Sequence, residues 1–351
     1  MENRSVSEDD VLAQYRTPVD AAIRATFDAR GDLPLYGMLQ YFMGYIDETL
    51  RPATGVAGKR IRSSLLLLIA DLFGGAPSAL DLAVAVELFH NFTLIHDDIE
   101  DNDVERRGRP TVWKLWGVNH GINAGDAQAF ITTQHLLKAA AVDPASARAS
   151  LELTDHFLQV VEGQYLDFEL ADKPLTHPNV TVDAYLEMIR KKTSVLIGTA
   201  VAAGGVAAGC DAKVRDLLFA YGESFGMAYQ IADDMSSIWG SVEETGKQAY
   251  GDIVERKKTY PILYVRDHTN EPRLVELYSS AAPLSDNDIQ EVVAGFDRAG
   301  ACEATKALGR TYVTQAHEAA QSLPLPQQSI ALLTGLVDSL VRFPPYTHAA
   351  D

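Results

Sequence analysis

Only two of the 351 residues are cysteine, Cys210 and Cys302, far apart and in no CxxC pair. That excludes a cysteine-based zinc site and fits a reducing compartment. Basic residues are also scarce: 30 Lys+Arg stand against 48 Asp+Glu, a net charge of −18. A surface of that sign is repelled by phosphate backbones, so nucleic acid is not expected as a partner. The start, "MENRSVSEDDVL", has neither the positive n-region nor the apolar h-region of a signal peptide, and a cytoplasmic location is expected. Long runs of large apolar side chains are missing too. The longest uncharged stretch, "TSVLIGTAVAAGGVAAGC", approaches membrane-span length but is rich in Ala and Gly, so it reads as a tightly packed core helix and no membrane span is expected. Finally, no run of alternating apolar and polar residues bounded by turns suggests a sheet.

What is present is helical periodicity. Hydrophobic residues make up 47% of the chain, enough for a folded core. Leu88, Phe92, Ile95 and Ile99 step by 4, 3 and 4, one stripe of an amphipathic helix. Similar patterns run through Pro34 to Arg51, Ile61 to Phe73, Gln128 to Ala141, Arg148 to Leu166, Val182 to Ala208, Val214 to Trp239 and Gln328 to Phe343. The breaks between them are too short for domain linkers, and no internal repeat of fixed period is present. An all-α protein with one helical domain over 1–351 is expected.

Against this background the stretch "HDDIEDNDVERRGRP" is conspicuous, with six acidic residues in nine positions and then Arg106, Arg107 and Arg109. On a helix continuing to about Asp101, His90, Thr93, Asp97 and Asp101 share a face, with Asp98 beside them. Carboxylates so spaced repel unless a cation neutralises them, and hard oxygen ligands suit Mg²⁺, which prefers one or two carboxylates plus substrate phosphate oxygens. The plain alternative is a solvated helix end followed by a basic turn. An EF-hand is excluded, because no Gly occupies the sixth loop position. A second pair, Asp233 and Asp234, lies in the apolar stretch "YGESFGMAYQIADDMSSIWG", where simple burial of charge is costly. Two such helices facing each other could hold metal ions between them. Basic residues in Gly-flanked or helix-end settings accompany them: Lys59, Arg60 and Arg62; Arg106 and Arg107; Lys191 and Lys192; Lys247; Lys257 and Lys258. Singly each reads as a surface charge. Together with two acidic helices they point to a polyanion site with Mg²⁺ and Arg/Lys on phosphoryl oxygens.

At this point the chain resembles the trans-type isoprenyl diphosphate synthases of the polyprenyl synthetase family. The resemblance follows the segments "GKRIR", "HNFTLIHDDIED", "RRG", "AGD", "GQYLDF", "KKTS", "YQIADD", "TGK" and "GDIVERKKTYP", in family order from about Gly58 to about Pro261, and residues 1 to about 30 are read as an N-terminal segment before the first family motif. It implies the isoprenoid-synthase helical bundle with a central cavity between the two Asp-bearing helices, and a homodimer. It also implies a role for each residue. Asp97, Asp98, Asp101 and Asp233 would bind Mg²⁺, three ions per allylic diphosphate (dimethylallyl, geranyl or farnesyl), with Asp234 as a further metal-side carboxylate and Gln230 in support. Arg106, Lys192 and Lys257 would contact that diphosphate, and Lys247 belongs to the substrate-binding set. Lys59, Arg62, His90 and Arg107 would hold isopentenyl diphosphate. Gln164 and Thr193 would line the site and help steady the carbocation. Taken alone, His90 on an apolar face reads as a core histidine and Gln164 as a solvated glutamine; Trp113, Trp116 and Trp239 read as packing.

Two positions depart from the family pattern. Ser237 stands where many members carry the third aspartate of the second motif, so that helix is expected to bind metal through Asp233 and water. Arg256 replaces the usual Gly before the lysine. Three readings compete: an ordinary synthase that dispenses with the third carboxylate, a terpene cyclase on the same fold, and a non-catalytic partner subunit. Retention of Lys59, Arg62, Asp97, Asp98 and Asp101 favours the first. For product length, Phe92 lies five residues before Asp97, about one turn deeper, and Thr93 beside it is small. With no insertion in "DDIED" and one aromatic at these positions, the resemblance implies geranylgeranyl diphosphate, with farnesyl diphosphate next.

Overall fold

The computed structural model describes residues 8–53, 58–240, 250–280 and 282–344. It is all-α, as the periodicity predicts. The helices that position the candidate residues are α1 (Glu8–Asp28), α2 (Pro34–Phe42), α3 (Ile61–Leu72), α4 (Ala79–Glu100), α5 (Val112–Trp116), α6 (Val118–Ala140), α7 (Pro144–Ala171), α8 (Val182–Ile189), α9 (Val195–Ala207) and α10 (Ala212–Trp239). Six more follow over Gly251–Val254, Tyr260–His268, Pro272–Ser279, Asp286–Arg298, Ala301–Gln321 and Gln327–Leu340. No helix among the described residues is long and apolar enough to cross a membrane.

The chain divides into two compact units. The first comprises Met1–Phe157, Thr199–Phe219 and Leu323–Ser329. Its core holds the apolar faces of α3 and α4, with Leu65, Leu66, Ile69, Leu82, Val84, Val86 and Leu88 fully enclosed. A charged group is buried among them: Arg60 donates to Asp20 (2.9 Å) and Glu87 (3.1 Å) and to the Met43 carbonyl (3.0 Å), while Ser63 donates to Glu87 at 2.9 Å. Pairing and hydrogen bonding are what make such burial tolerable. The Ala/Gly-rich stretch supplies α9, and a Cβ on Gly204 would stand 2.4 Å from the Leu66 carbonyl oxygen, a close helix approach that only glycine permits.

The second unit comprises Leu158–Gly198, Ala220–Ser322 and Ile330–Asp351. Tyr185, Ile189, Met227, Ile231, Ile262, Val265, Leu274 and Phe296 form its core.

Three local expectations are corrected. The pattern from Pro34 to Arg51 is helical only to Phe42. Gly44 then takes φ +81°, yet Met43, Tyr45 and Ile46 stay buried, so the periodicity there records burial and not helix. Val182 to Ala208 is helical with a π-helical turn, Arg190–Ser194, set between α8 and α9. And "ERRGRP" forms a minimal hairpin, Arg106 opposite Arg109. Arg107 and Gly108 at its tip have φ +56° and +71°, the two positive values of a type I′ turn.

Candidate active site

The first acidic motif closes α4, with Asp101 as its C-cap. Helix C-termini disfavour negative charge, so Asp97, Asp98, Glu100 and Asp101 there cost stability on their own. The hairpin offsets part of this by turning Arg106 back onto them. Its Nη2 donates to Asp97 at 3.1 Å, its Nε donates to Asp98, and Asp103 lies 3.7 Å away. Asp98 is buried, and its Oδ2 has no hydrogen-bond partner among the described residues. Burial, opposed by Arg106, pushes its pKa up to about 6.

The basic group lies on the same unit. Arg62 Nη1 stands 3.2 Å from His90 Nε2. The Arg107 guanidinium covers Gly58, where a Cβ would meet its Nη2 at 3.0 Å, and Arg107 Nη1 is buried without a hydrogen-bond partner among the described residues. Burial, then Arg60, draws the Arg107 pKa down to about 10. Burial and the surrounding Arg62, Arg107 and Arg106 hold His90 well below the ordinary imidazole value, so it is neutral. Lys59 is exposed. Arg60 points the other way, into the buried ion pairs. A group so rich in cations, one of them with a buried unmatched donor, calls for an anion.

In the second unit the π turn carries the next residues. It is clasped between α7 and α10: a Cβ on Gly163 would lie 2.2 Å from Lys192 N, and one on Gly226 would lie 2.5 Å from Ser194 Cα. Lys192 Nζ donates to Asp167 at 2.6 Å. A chain of hydrogen bonds then runs inward. Thr193 Oγ1 donates to Gln230 Oε1 (2.8 Å), Gln230 Nε2 to Asp234 Oδ1 (2.7 Å), and Tyr185 Oη to Asp234 Oδ2 (2.6 Å). Burial, then Asp252, pushes Asp234 upward. Lys257 lies 3.0 Å from Glu255 and 3.9 Å from Asp252, and these two carboxylates outweigh burial to raise its pKa. Gln164 is half-buried on α7. Lys247 lies outside the described residues.

The model of the polyprenyl synthetase family matches residues 44–295. The chain belongs to this family. The (2E,6E)-farnesyl diphosphate synthase of Mycobacterium tuberculosis H37Rv is 33% identical over 310 residues, spanning 87% of this chain and 85% of that one. The geranylgeranyl diphosphate synthase of the same strain is 36% identical over 270 residues, 76% of each chain. The crystal structure of a polyprenyl synthetase from Streptomyces coelicolor A3(2) superposes with a TM-score of 0.86 at 34% identity, covering 95% of this chain and 99% of that one. The protein is thus a prenyltransferase, of a family that works on isopentenyl and allylic diphosphates with a divalent metal.

For a prenyltransferase the donor set is apt. Among the described residues no three His, Cys, Asp or Glu side chains stand preassembled as a metal site. A buried Asp98 oxygen with no donor among the described residues, on a carboxylate whose burial one arginine does not fully offset, is nevertheless what a hard cation satisfies. The Phe92 ring meets Phe89 at 5.6 Å and His96 at 5.0 Å, and Thr93 Oγ1 donates to the His90 carbonyl at 2.8 Å. Phe89 in turn stacks on Phe157 at 3.8 Å, and these two rings line an apolar pocket of about 380 Å³.

Sequence reading missed Asp167, Tyr185, Asp252 and Phe89. Asp167 and Asp252 lay inside quoted segments, "GQYLDF" and "GDIVERKKTYP", but nothing in spacing ties them to lysines 25 and 5 residues away. Arg256 is explained. It takes φ +53°, the left-handed conformation that glycine adopts freely, and its guanidinium donates to the Leu277 carbonyl at 2.9 Å and to that of Ala282.

Proposed function

We propose that this prenyltransferase condenses isopentenyl diphosphate with an allylic diphosphate to give a short all-trans prenyl diphosphate, acting as one catalytic domain in the cytoplasm. One observation carries the reading. The first unit holds two kinds of charge group: carboxylates on Asp97, Asp98 and Asp101, which suit one diphosphate through metal ions, and cations on Arg62 and Arg107 with neutral His90, which suit a second directly. A cyclase needs only one.

Asp97, Asp98, Asp101 and Asp233 would hold the Mg²⁺ ions, three per allylic diphosphate, with Asp234 beside them orienting Gln230. Bound there, magnesium neutralises negative charge on a leaving diphosphate. Arg106, Lys192, Lys257 and Lys247 take the remaining charge as the allylic carbon–oxygen bond breaks. Lys59, Arg62, His90 and Arg107 hold isopentenyl diphosphate so that its double bond attacks the allylic cation. The new carbon–carbon bond leaves a tertiary cation, which loses a proton to the departed pyrophosphate. Thr193 and Gln164 face the cation with oxygen dipoles, and apolar side chains exclude water that would quench it. The test is incubation with Mg²⁺, radiolabelled isopentenyl diphosphate and each allylic primer, followed by product sizing. Elongation is expected; a cyclic hydrocarbon formed without isopentenyl diphosphate, or no turnover, overturns the reading.

We further place the main product at geranylgeranyl diphosphate, ahead of farnesyl diphosphate, with Phe92 as the floor. Phe92→Ala should lengthen the products. Unchanged length with about 3–5 kcal/mol of lost stability would make Phe92 ordinary core. A homodimer is supported by exposed apolar stripes, Ile122, Phe130 and Leu137 on α6 and Leu151, Leu158 and Tyr165 on α7. Phe130→Glu should shift the sedimenting species toward monomer; a wild-type monomer would remove the proposal.

A further inference from the structure

Arg60 stands in the chain between two members of the cation group, Lys59 and Arg62, yet its own side chain turns into the fold. It is the N-cap of α3 and takes φ +55°, a left-handed conformation that a residue with a Cβ keeps only where its surroundings over-determine it. Three partners hold its buried guanidinium: Glu87 on α4, the Met43 carbonyl after α2, and Asp20 on α1. Glu87 is one turn before His90, so α4 gives one side chain to the anchor and the next to the cation group. Asp20 comes from elsewhere. It lies on α1, outside every segment that carries the family resemblance, and apolar packing sets its place, with Val19, Ile23 and Phe27 fully enclosed. Its Oδ1 accepts from Arg60 Nε at 2.9 Å and from Tyr45 Oη at 2.7 Å, and its Oδ2 is 3.4 Å from Arg16 Nε. Removing that carboxylate leaves a buried charged donor without its acceptor and frees one edge of the guanidinium that holds the turn.

We propose that Asp20 is a positioning residue for isopentenyl diphosphate, acting through Arg60 to fix the turn from which Lys59 and Arg62 reach that diphosphate. The inference rests on the assignment of Lys59, Arg62, His90 and Arg107 to isopentenyl diphosphate. By charge alone a carboxylate near this group opposes an anion, so the sign of the effect separates the two roles. In steady-state assays Asp20→Ala should raise KM for isopentenyl diphosphate about tenfold, the scale of a lost acceptor for a buried charged donor, and leave KM for the allylic primer unchanged. Asp20→Asn, which removes the same charge but keeps Oδ1 as an acceptor, should recover most of that loss. A lower KM for isopentenyl diphosphate in both variants would mean that Asp20 acts by charge. Equal rises for both substrates, or a fall in melting temperature with both KM values unchanged, would mean that it only holds the fold. Each of these overturns the proposal. Should Asp20→Ala fail to fold, Asp20→Glu, which keeps the charge and displaces the carboxylate by one methylene, carries the same test: a rise in KM for isopentenyl diphosphate alone supports the proposal, and no rise overturns it. Arg62→Met separates this inference from the reading beneath it. If Arg62→Met raises KM for isopentenyl diphosphate and the Asp20 variants do not, only this inference fails; if none does, the assignment of the cation group fails with it.

Discussion

The two acidic pairs look alike in sequence and are held in opposite ways. Asp97 and Asp98 end a helix and are met by a cation, Arg106, brought back by the hairpin. Asp233 and Asp234 sit about a turn and a half in from the end of α10, and Asp234 is met by neutral donors, Tyr185 and Gln230. A carboxylate facing an arginine and a vacant lone pair is poised to exchange partners for a metal and a diphosphate. One whose two oxygens already accept short hydrogen bonds is poised to keep its neighbours in place. The lesson is that an Asp-Asp pair is not a role; the charge of its surroundings sets the role.

Breaking that contrast should have unequal effects. The largest is expected at the first pair: Asp98→Ala should lower kcat by about 10²–10³-fold, as for other lost transition-state charge groups. By contrast Asp234→Asn, which keeps the shape at a site where burial already disfavours charge, should cost less than about tenfold. Equal losses in steady-state assays would erase the distinction. Next is the clasp around the π turn. Gly163→Ala, whose Cβ would fall 2.2 Å from Lys192 N, should destabilise by about 1–3 kcal/mol on denaturant unfolding and lower kcat by moving Lys192 and Thr193. Wild-type values would mean the turn is not held by that contact. The smallest effect concerns pH. His90 stays neutral in the fold while the unfolded chain takes up a proton near pH 6.5, so its contribution to stability is present above that pH and lost as pH falls below it. Melting curves at pH 7.5 and 5.5 should show this loss, and inorganic pyrophosphate, which favours the imidazolium, should reduce it. A loss unaltered in His90→Asn would assign it to other groups.

How far these features were legible depends on their range. Asp97, Asp98 and Asp101 follow from spacing on one helix, and the hairpin after them keeps Arg106 and Arg107 within a few residues, so sequence alone could group them. The basic run around Lys59 was legible only as a cluster. Arg60, at φ +55°, turns inward to Asp20 and Glu87, while Arg62 meets His90. That division is made by partners 40, 27 and 28 residues away, none of which the local pattern specifies. The N-terminal helix α1 and the helices between Tyr260 and Gln321 are less apolar overall than α4 and α10, and went unread.

By itself the sequence determined the all-α class, the family, and the residues that carry charge, because helical period and short motifs are properties of neighbours along the chain. Tertiary structure alone decided which charges are spent inside the fold and which remain for a ligand. It turned Arg60 inward, tied Lys192 to Asp167, and set Asp252 against Ser237. The reason is physical: desolvation and hydrogen bonding depend on what packs around a group, and those partners arrive from elsewhere in the chain.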